Sequence, residues 1–191
     1  PISTLHTEAP DSPEFEADLK WFAAVCRIVR GFKNLRIGAV GARPAAFNTV
    51  RYSEKLLERS GITVDTLDLS EVLGRIGKLK DTDAAVEQKI AEIKAYVPTG
   101  HTPKEALIKM AKLGAVLDNW VETNRLTITS VQCWTSLEEF FGIVPCTVMS
   151  MMSQKLLPSA CEVDTLGSLS MYALGLASET PSALLDWNNN Y

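Results

Sequence analysis

The chain contains no Cys-x-x-Cys pair, no glycine-rich phosphate loop, no surplus of basic residues and no long apolar run. Each absence closes a class of function. The four cysteines, Cys26, Cys133, Cys146 and Cys161, are scattered, three of them in apolar, strand-like text. They read as free, mostly buried thiols of a reducing cytoplasm. The glycines around the first apolar run are Gly38 and Gly41 only, which is neither GxGxxG nor a P-loop, so a dinucleotide domain is set aside. A net charge of −4 and a pI near 5.3 argue against a nucleic-acid partner, because phosphate binding needs excess Lys and Arg. No stretch approaches the roughly 18–20 apolar residues needed to span a bilayer, and Pro1–His6 lacks the layout of a signal peptide. The opening on Pro1 without an initiator Met, and the close on 186–191 without a charged tail, read as the ends of a cut piece.

What is present is ordinary for a globular domain. Hydrophobic residues make up 46% and charged residues 22% of 191 positions, enough for one well-packed unit. Residues 1–13, rich in Pro, Ser, Thr and acid, form an exposed lead-in. From Glu14 the apolar positions Phe15, Leu19, Phe22, Ala23, Cys26 and Val29 recur at helical steps up to Gly31. A buried strand is expected over 35–41, then a helix over 47–60 closed by Gly61. A second strand follows over 62–67, with Asp68 and Ser70 placed to cap the next helix. Helices are expected over 81–96, with Ala85, Ile90, Ile93 and Val97 on one side, and over 103–123, with Thr102 as cap and Pro103 at its first position. Strands at 126–132, 143–148 and 159–163 and helices at 136–141 and 166–176 complete the alternation. Strands alternating with helices predict an α/β fold: a doubly wound parallel sheet, Rossmann- or flavodoxin-like, in three layers. Ligands of such sheets bind beyond the carboxyl ends of the strands.

The residues at those ends are therefore the candidates. Gly41-Ala42-Arg43 after the first strand combines free N–H groups with a cation, and reads either as an anion cradle or as a simple tight turn. Gln132-Cys133-Trp134 places an amide, a thiol and an indole together; amides bond sugar hydroxyls, although a strand-end Trp is more often packing. Ser159-Ala160-Cys161-Glu162-Val163-Asp164 puts two carboxylates at the end of an apolar strand, where an acid needs a pair, a hydrogen bond or a metal. Asp186 follows Leu184-Leu185 after one helix. The plainer reading makes Glu162 or Asp164 a helix cap and Asp186 the end of the domain.

Four stretches, GARPAAFNTVRYSEKLLE (41–58), QCWTSLEEFFGIVPCTVMSMMS (132–153), LLPSACEVDTLGSLSMYAL (156–174) and LLDWNNNY (184–191), resemble the L-fucose isomerase-like family. The resemblance runs from about Phe15 to Tyr191 and corresponds to the second of two Rossmann-like domains (14–180) plus the start of a C-terminal domain (181–191). The spaced CEVD and DWNN motifs are its specific part. It implies a divalent-metal aldose–ketose isomerase, usually with Mn²⁺, acting on L-fucose, L-arabinose or a related sugar through an enediol. By motif, Glu162 and Asp186 are the metal-binding and catalytic acids. The third ligand is a His of a C-terminal domain outside this chain, since neither His6 nor His101 falls in a matching motif. Arg43, Gln132 and Trp134 line the sugar pocket in this reading. The resemblance further implies a cytoplasmic homo-oligomer, trimer or hexamer, whose isolated 191-residue piece is inactive and exposes the Met-rich segment 149–152 and Trp187. The competing reading is a non-catalytic sugar-binding module, which has no need of two spaced acids.

Overall fold

The computed structural model describes residues 8–185. Its centre is a parallel four-stranded sheet, β1 (Arg36–Val40), β2 (Thr63–Leu67), β3 (Ile128–Val131) and β4 (Ser159–Cys161), in the order β2-β1-β3-β4. Ile37 pairs with Val64 on one side and Ile128 on the other, and Val131 pairs with Cys161. Strand order 2-1-3-4 is that of doubly wound flavodoxin-like sheets, and it reverses direction between β1 and β3.

Seven α-helices are assigned among the described residues: α1 (Pro13–Gly31), α2 (Glu54–Arg59), α3 (Leu69–Lys78), α4 (Ala84–Tyr96), α5 (Lys104–Asn124), α6 (Cys146–Gln154) and α7 (Thr165–Ser178). Local chemistry starts several of them. Ser12 accepts a hydrogen bond from the Phe15 amide, with Pro13 just inside the helix and Glu14 and Glu16 in the first turn. Asp68 caps α3 through the Ser70 amide, as its position in the sequence predicts. Asp164 caps α7 through the Gly167 amide at 2.8 Å.

Side chains alternate across the sheet and build two cores. Val40, Leu67 and Val131 face α3, α5 and α6, where Val72, Leu113, Leu117, Trp120, Val148 and Met152 close the larger one. Ile37 and Ile128 face the other way, against Leu57 of α2 and the half-buried Leu169 and Tyr172 of α7. A third cluster, with Val86, Ile93, Leu107, Ala111 and Met151, fastens α4 outside α5 and α6. Three layers result, as expected from the alternation of elements. No helix of the described residues is long and apolar enough to cross a membrane.

Several local expectations are corrected. The segment 143–148 is not a strand: Pro145 precedes α6, and Val148, Met149, Met151 and Met152 repeat at helical spacing toward the core. Proline cannot donate to a ladder, so Ile143-Val144-Pro145 makes a poor central strand. The methionines are thus buried rather than presented as a surface. The expected helix over 47–60 breaks into a 3₁₀ turn, Asn48–Val50, an extended link, and α2. Pro103 rather than Thr102 stands at the α5 cap, and α4 buries Val86, whereas Ala85 is exposed. Only Cys133 is buried among the thiols; Cys161 is half-buried and Cys26 and Cys146 are exposed.

Candidate functional site at the strand ends

The reversal of strand order makes the crevice beyond β1 and β3 the natural ligand position. Gly41 ends β1 with φ +80°, a conformation that favours glycine, and its amide donates to the Leu67 carbonyl at 2.9 Å. A Cβ at Gly41 would collide with Gln132. The reason is a bridge: Gln132 Oε1 accepts from the Ala42 amide at 2.8 Å, and Nε2 donates to the Trp134 carbonyl at 2.8 Å. Gln132 therefore ties the β1 loop to the β3 loop, with both ends of its amide engaged. Arg43 folds back in the same way, Nη1 donating to the carbonyls of Pro44 at 2.8 Å and Phe47 at 3.1 Å. Phe47 meets Trp134 edge to face, centroids 4.9 Å apart, and 44% of the indole stays accessible as an apolar wall.

Beyond β4 the chain takes two consecutive left-handed residues, Glu162 (φ +62°) and Val163 (φ +55°). Each costs roughly 1–2 kcal/mol in an L-residue, and strain of this kind clusters at functional turns. The turn is closed by Asp164, whose carboxylate caps α7. Of the two acids in the motif, Asp164 thus takes the capping role, while Glu162 is half-buried at the carboxyl edge of the sheet.

Two thiols flank it. Cys161 lies beside Cys133, with the Glu162 and Trp134 backbones close to the Cys133 sulfur. These neighbours hold the Cys133 thiol below its ordinary value against the effect of burial. The same contact, with burial, pushes Cys161 up.

A cavity of about 270 Å³ opens beside this edge, lined by Arg43, Arg51, Tyr52, Thr66 and Val163. Larger hollows, about 510 Å³ beside Lys109 and Phe141 and about 380 Å³ between α4, α5 and the segment 138–147, lie on the α5 side of the fold. The smaller one adjoins the Glu162 turn. Of the residues predicted from sequence, Arg43, Gln132, Trp134 and Glu162 lie at this edge; His101, which the sequence already set aside, lies in the turn before α5. Asp186 and Trp187 fall outside the described residues. Sequence reasoning missed Arg51 and Tyr52, since both sit in text expected to be helical; Thr49-Val50 followed by Ser53-Glu54 was the available signal of a break and a new cap.

Among the described residues no three His, Cys, Asp or Glu side chains converge as a metal ligand set. Glu162, an oxygen donor at a strand end, suits a hard cation such as Mn²⁺.

No family model matches the chain. Among curated proteins it is 28% identical over 165 residues to the sulfoquinovose isomerase of Clostridium sp. (strain MSTE9), covering 84% of this chain and 37% of that protein. It is 26% identical over 166 residues to the sulfoquinovose isomerase of Priestia aryabhattai, covering 86% and 37%. A third, from Alkalicoccus urumqiensis, is 25% identical over 170 residues, covering 88% and 38%. The chain is thus similar, along most of its length, to little more than a third of proteins named as isomerases of a sugar.

Proposed function

We propose that the chain is part of a metal-dependent aldose–ketose isomerase, and that its strand-end edge forms one wall of the sugar site. The observation that carries this reading is the strained Glu162–Val163 turn, which follows β4 at the same carboxyl edge of the sheet as the Gln132-braced loops. The similarity to sulfoquinovose isomerases supports it independently and adds sulfoquinovose to L-fucose and L-arabinose as candidate sugars.

In this reading Glu162 and Asp186 are metal-binding and share the proton transfers between C2 and C1, and a His from outside the chain completes the ligand set. The metal, when bound, acidifies the sugar C–H and stabilises the charge left behind. The protein's own part is positional. Gln132 holds the two loops in register, Trp134 offers an indole to sugar C–H surface, and Glu162 takes up the proton in this reading. Isomerisation then requires the intact oligomeric protein, and the 191-residue chain alone is inactive.

The test is Mn²⁺-dependent ketose formation by the intact protein over L-fucose, L-arabinose and sulfoquinovose. Glu162→Gln or Asp186→Asn should each abolish turnover while leaving the protein folded. Retained activity in either variant removes that acid from the mechanism. Sugar binding without turnover in the wild type would favour a binding module instead.

A further inference from the structure

The cavity beside the Glu162 turn holds charge that proton transfer does not use. Arg43 and Arg51 both line it, together with Tyr52, and no carboxylate does. Arg36 pairs with Asp65 at 2.6 Å, Arg75 with Glu71 at 2.6 Å, and Arg27 with Glu179 at 3.5 Å, whereas Arg30, Arg59 and Arg125 stand unpaired among the described residues without sharing a cavity with a second cation. Arg43 and Arg51 make no ion pair among the described residues.

Both guanidinium groups are nonetheless held in place. Arg43 is anchored through Nη1 on its own loop, and Arg51 through Nε, which donates to the Asn48 carbonyl at 3.1 Å. A guanidinium carries five N–H donors in a planar fork, so anchoring one edge fixes the plane and leaves the other edge for an acceptor. Two oriented cations on one small cavity repel each other until an anion joins them. A neutral polyol offers hydroxyls, which an amide or a carboxylate binds as well; it does not account for two cations gathered on one cavity. A tetrahedral oxyanion does, through charge-assisted and bidentate hydrogen bonds.

The geometry points to Arg43 and Arg51 as the residues that read an anionic substituent, a sulfonate or a phosphate, on the sugar. This rests on the strand-end edge being the sugar site. The substituent belongs on a carbon remote from C1 and C2, because negative charge next to the reacting pair would oppose the charge that builds when the proton leaves.

The test compares the intact wild-type protein with Arg51→Met and Arg51→Lys on three sugars: 6-deoxy-6-sulfo-D-glucose, D-glucose 6-phosphate and uncharged 6-deoxy-D-glucose. In Arg51→Met the ratio of kcat/KM for the preferred charged sugar over the uncharged one should fall by about tenfold to a hundredfold, the range of a lost charged hydrogen bond. The loss should lie mainly in KM, and Arg51→Lys should recover part of it. Which charged sugar the wild type prefers separates sulfonate from phosphate. An unchanged ratio, or equal loss on charged and uncharged sugars, overturns the assignment. If no sugar is turned over, calorimetric binding of the same three compounds decides. Charge-selective binding that weakens in Arg51→Met keeps the anion site while the isomerase reading fails, and binding indifferent to charge overturns the site as well.

Discussion

Helices α1 and α5 are nearly equal in length, 19 and 21 residues, yet α5 has eight buried residues and α1 has none. Both show apolar residues at helical spacing. The difference is in what each meets: α5 lies across the sheet between α3 and α4, whereas α1 touches the fold through α7. Arg27 fixes that contact, donating to the last carbonyls of α7, Leu176 and Ala177, at 2.7 and 2.8 Å, where a cation also suits the helix dipole. Leu19, Trp21, Phe22 and Val29 remain exposed. Apolar periodicity therefore reports that a helix has a face, and the topology decides whether the face is filled.

The sharpest test of this contrast is truncation of one leucine on each helix. Leu117→Ala, at a fully buried position of α5, should cost about 2–5 kcal/mol in denaturant unfolding, and Leu19→Ala on α1 within about 0.5 kcal/mol. Equal losses would break the comparison.

A smaller effect is expected at the seam between α4 and α5. Lys89 is only 6% exposed, with its stem under Gly114 and its ammonium bonded to Glu92 at 2.6 Å and to Asp118. Lys89→Ala should cost about 1–3 kcal/mol, and Lys89→Met less than about 1 kcal/mol, since an apolar stem of similar volume replaces the ion pair. The hydrogen bond from Lys89 lowers the Glu92 pKa. Its contribution is therefore present above the ordinary value of 4.5 and lost as pH falls through the lower folded-state value. Burial opposes the charge on Lys89, but the bonds to Asp118 and Glu92 outweigh it and raise its pKa. That contribution is full below the ordinary value of 10.5 and lost as pH climbs through the raised one. Urea midpoints measured across pH should fall at both limits in the wild type and less in Lys89→Met.

The mildest probe is optical. Trp21 on α1 is 69% exposed and Trp120 on α5 is 5% exposed. Iodide should quench the emission lost in Trp21→Phe and barely touch that of Trp120. Protection of Trp21 in the intact protein would show that another part of it covers α1.

The sheet was legible because buried strands between glycines and caps leave little choice: Leu35–Gly41, Ile62–Leu67 and the Asp68 cap all stand where the text places them. The segment at 143–148 was not, because two β-branched residues before Pro145 imitate a strand until Met149 and Met152 are counted with Val148 on one helical face. In the candidate site, Gln132 was read as a sugar ligand from its position. Its role as a bridge depends on a loop 90 residues away, and no local pattern announces such a partner. Arg51 was hidden for the same reason, since a broken helix looks like a whole one until its caps are weighed.

The Gly41–Gln132 contact also has a hereditary side. Any side chain at 41 strikes the amide that joins the loops, and any shorter residue at 132 unties them. Position 41 is therefore held to glycine twice, by its left-handed backbone and by the amide, and a lineage that substitutes either position should lose the alignment of Ala42 with Trp134 before it loses the fold.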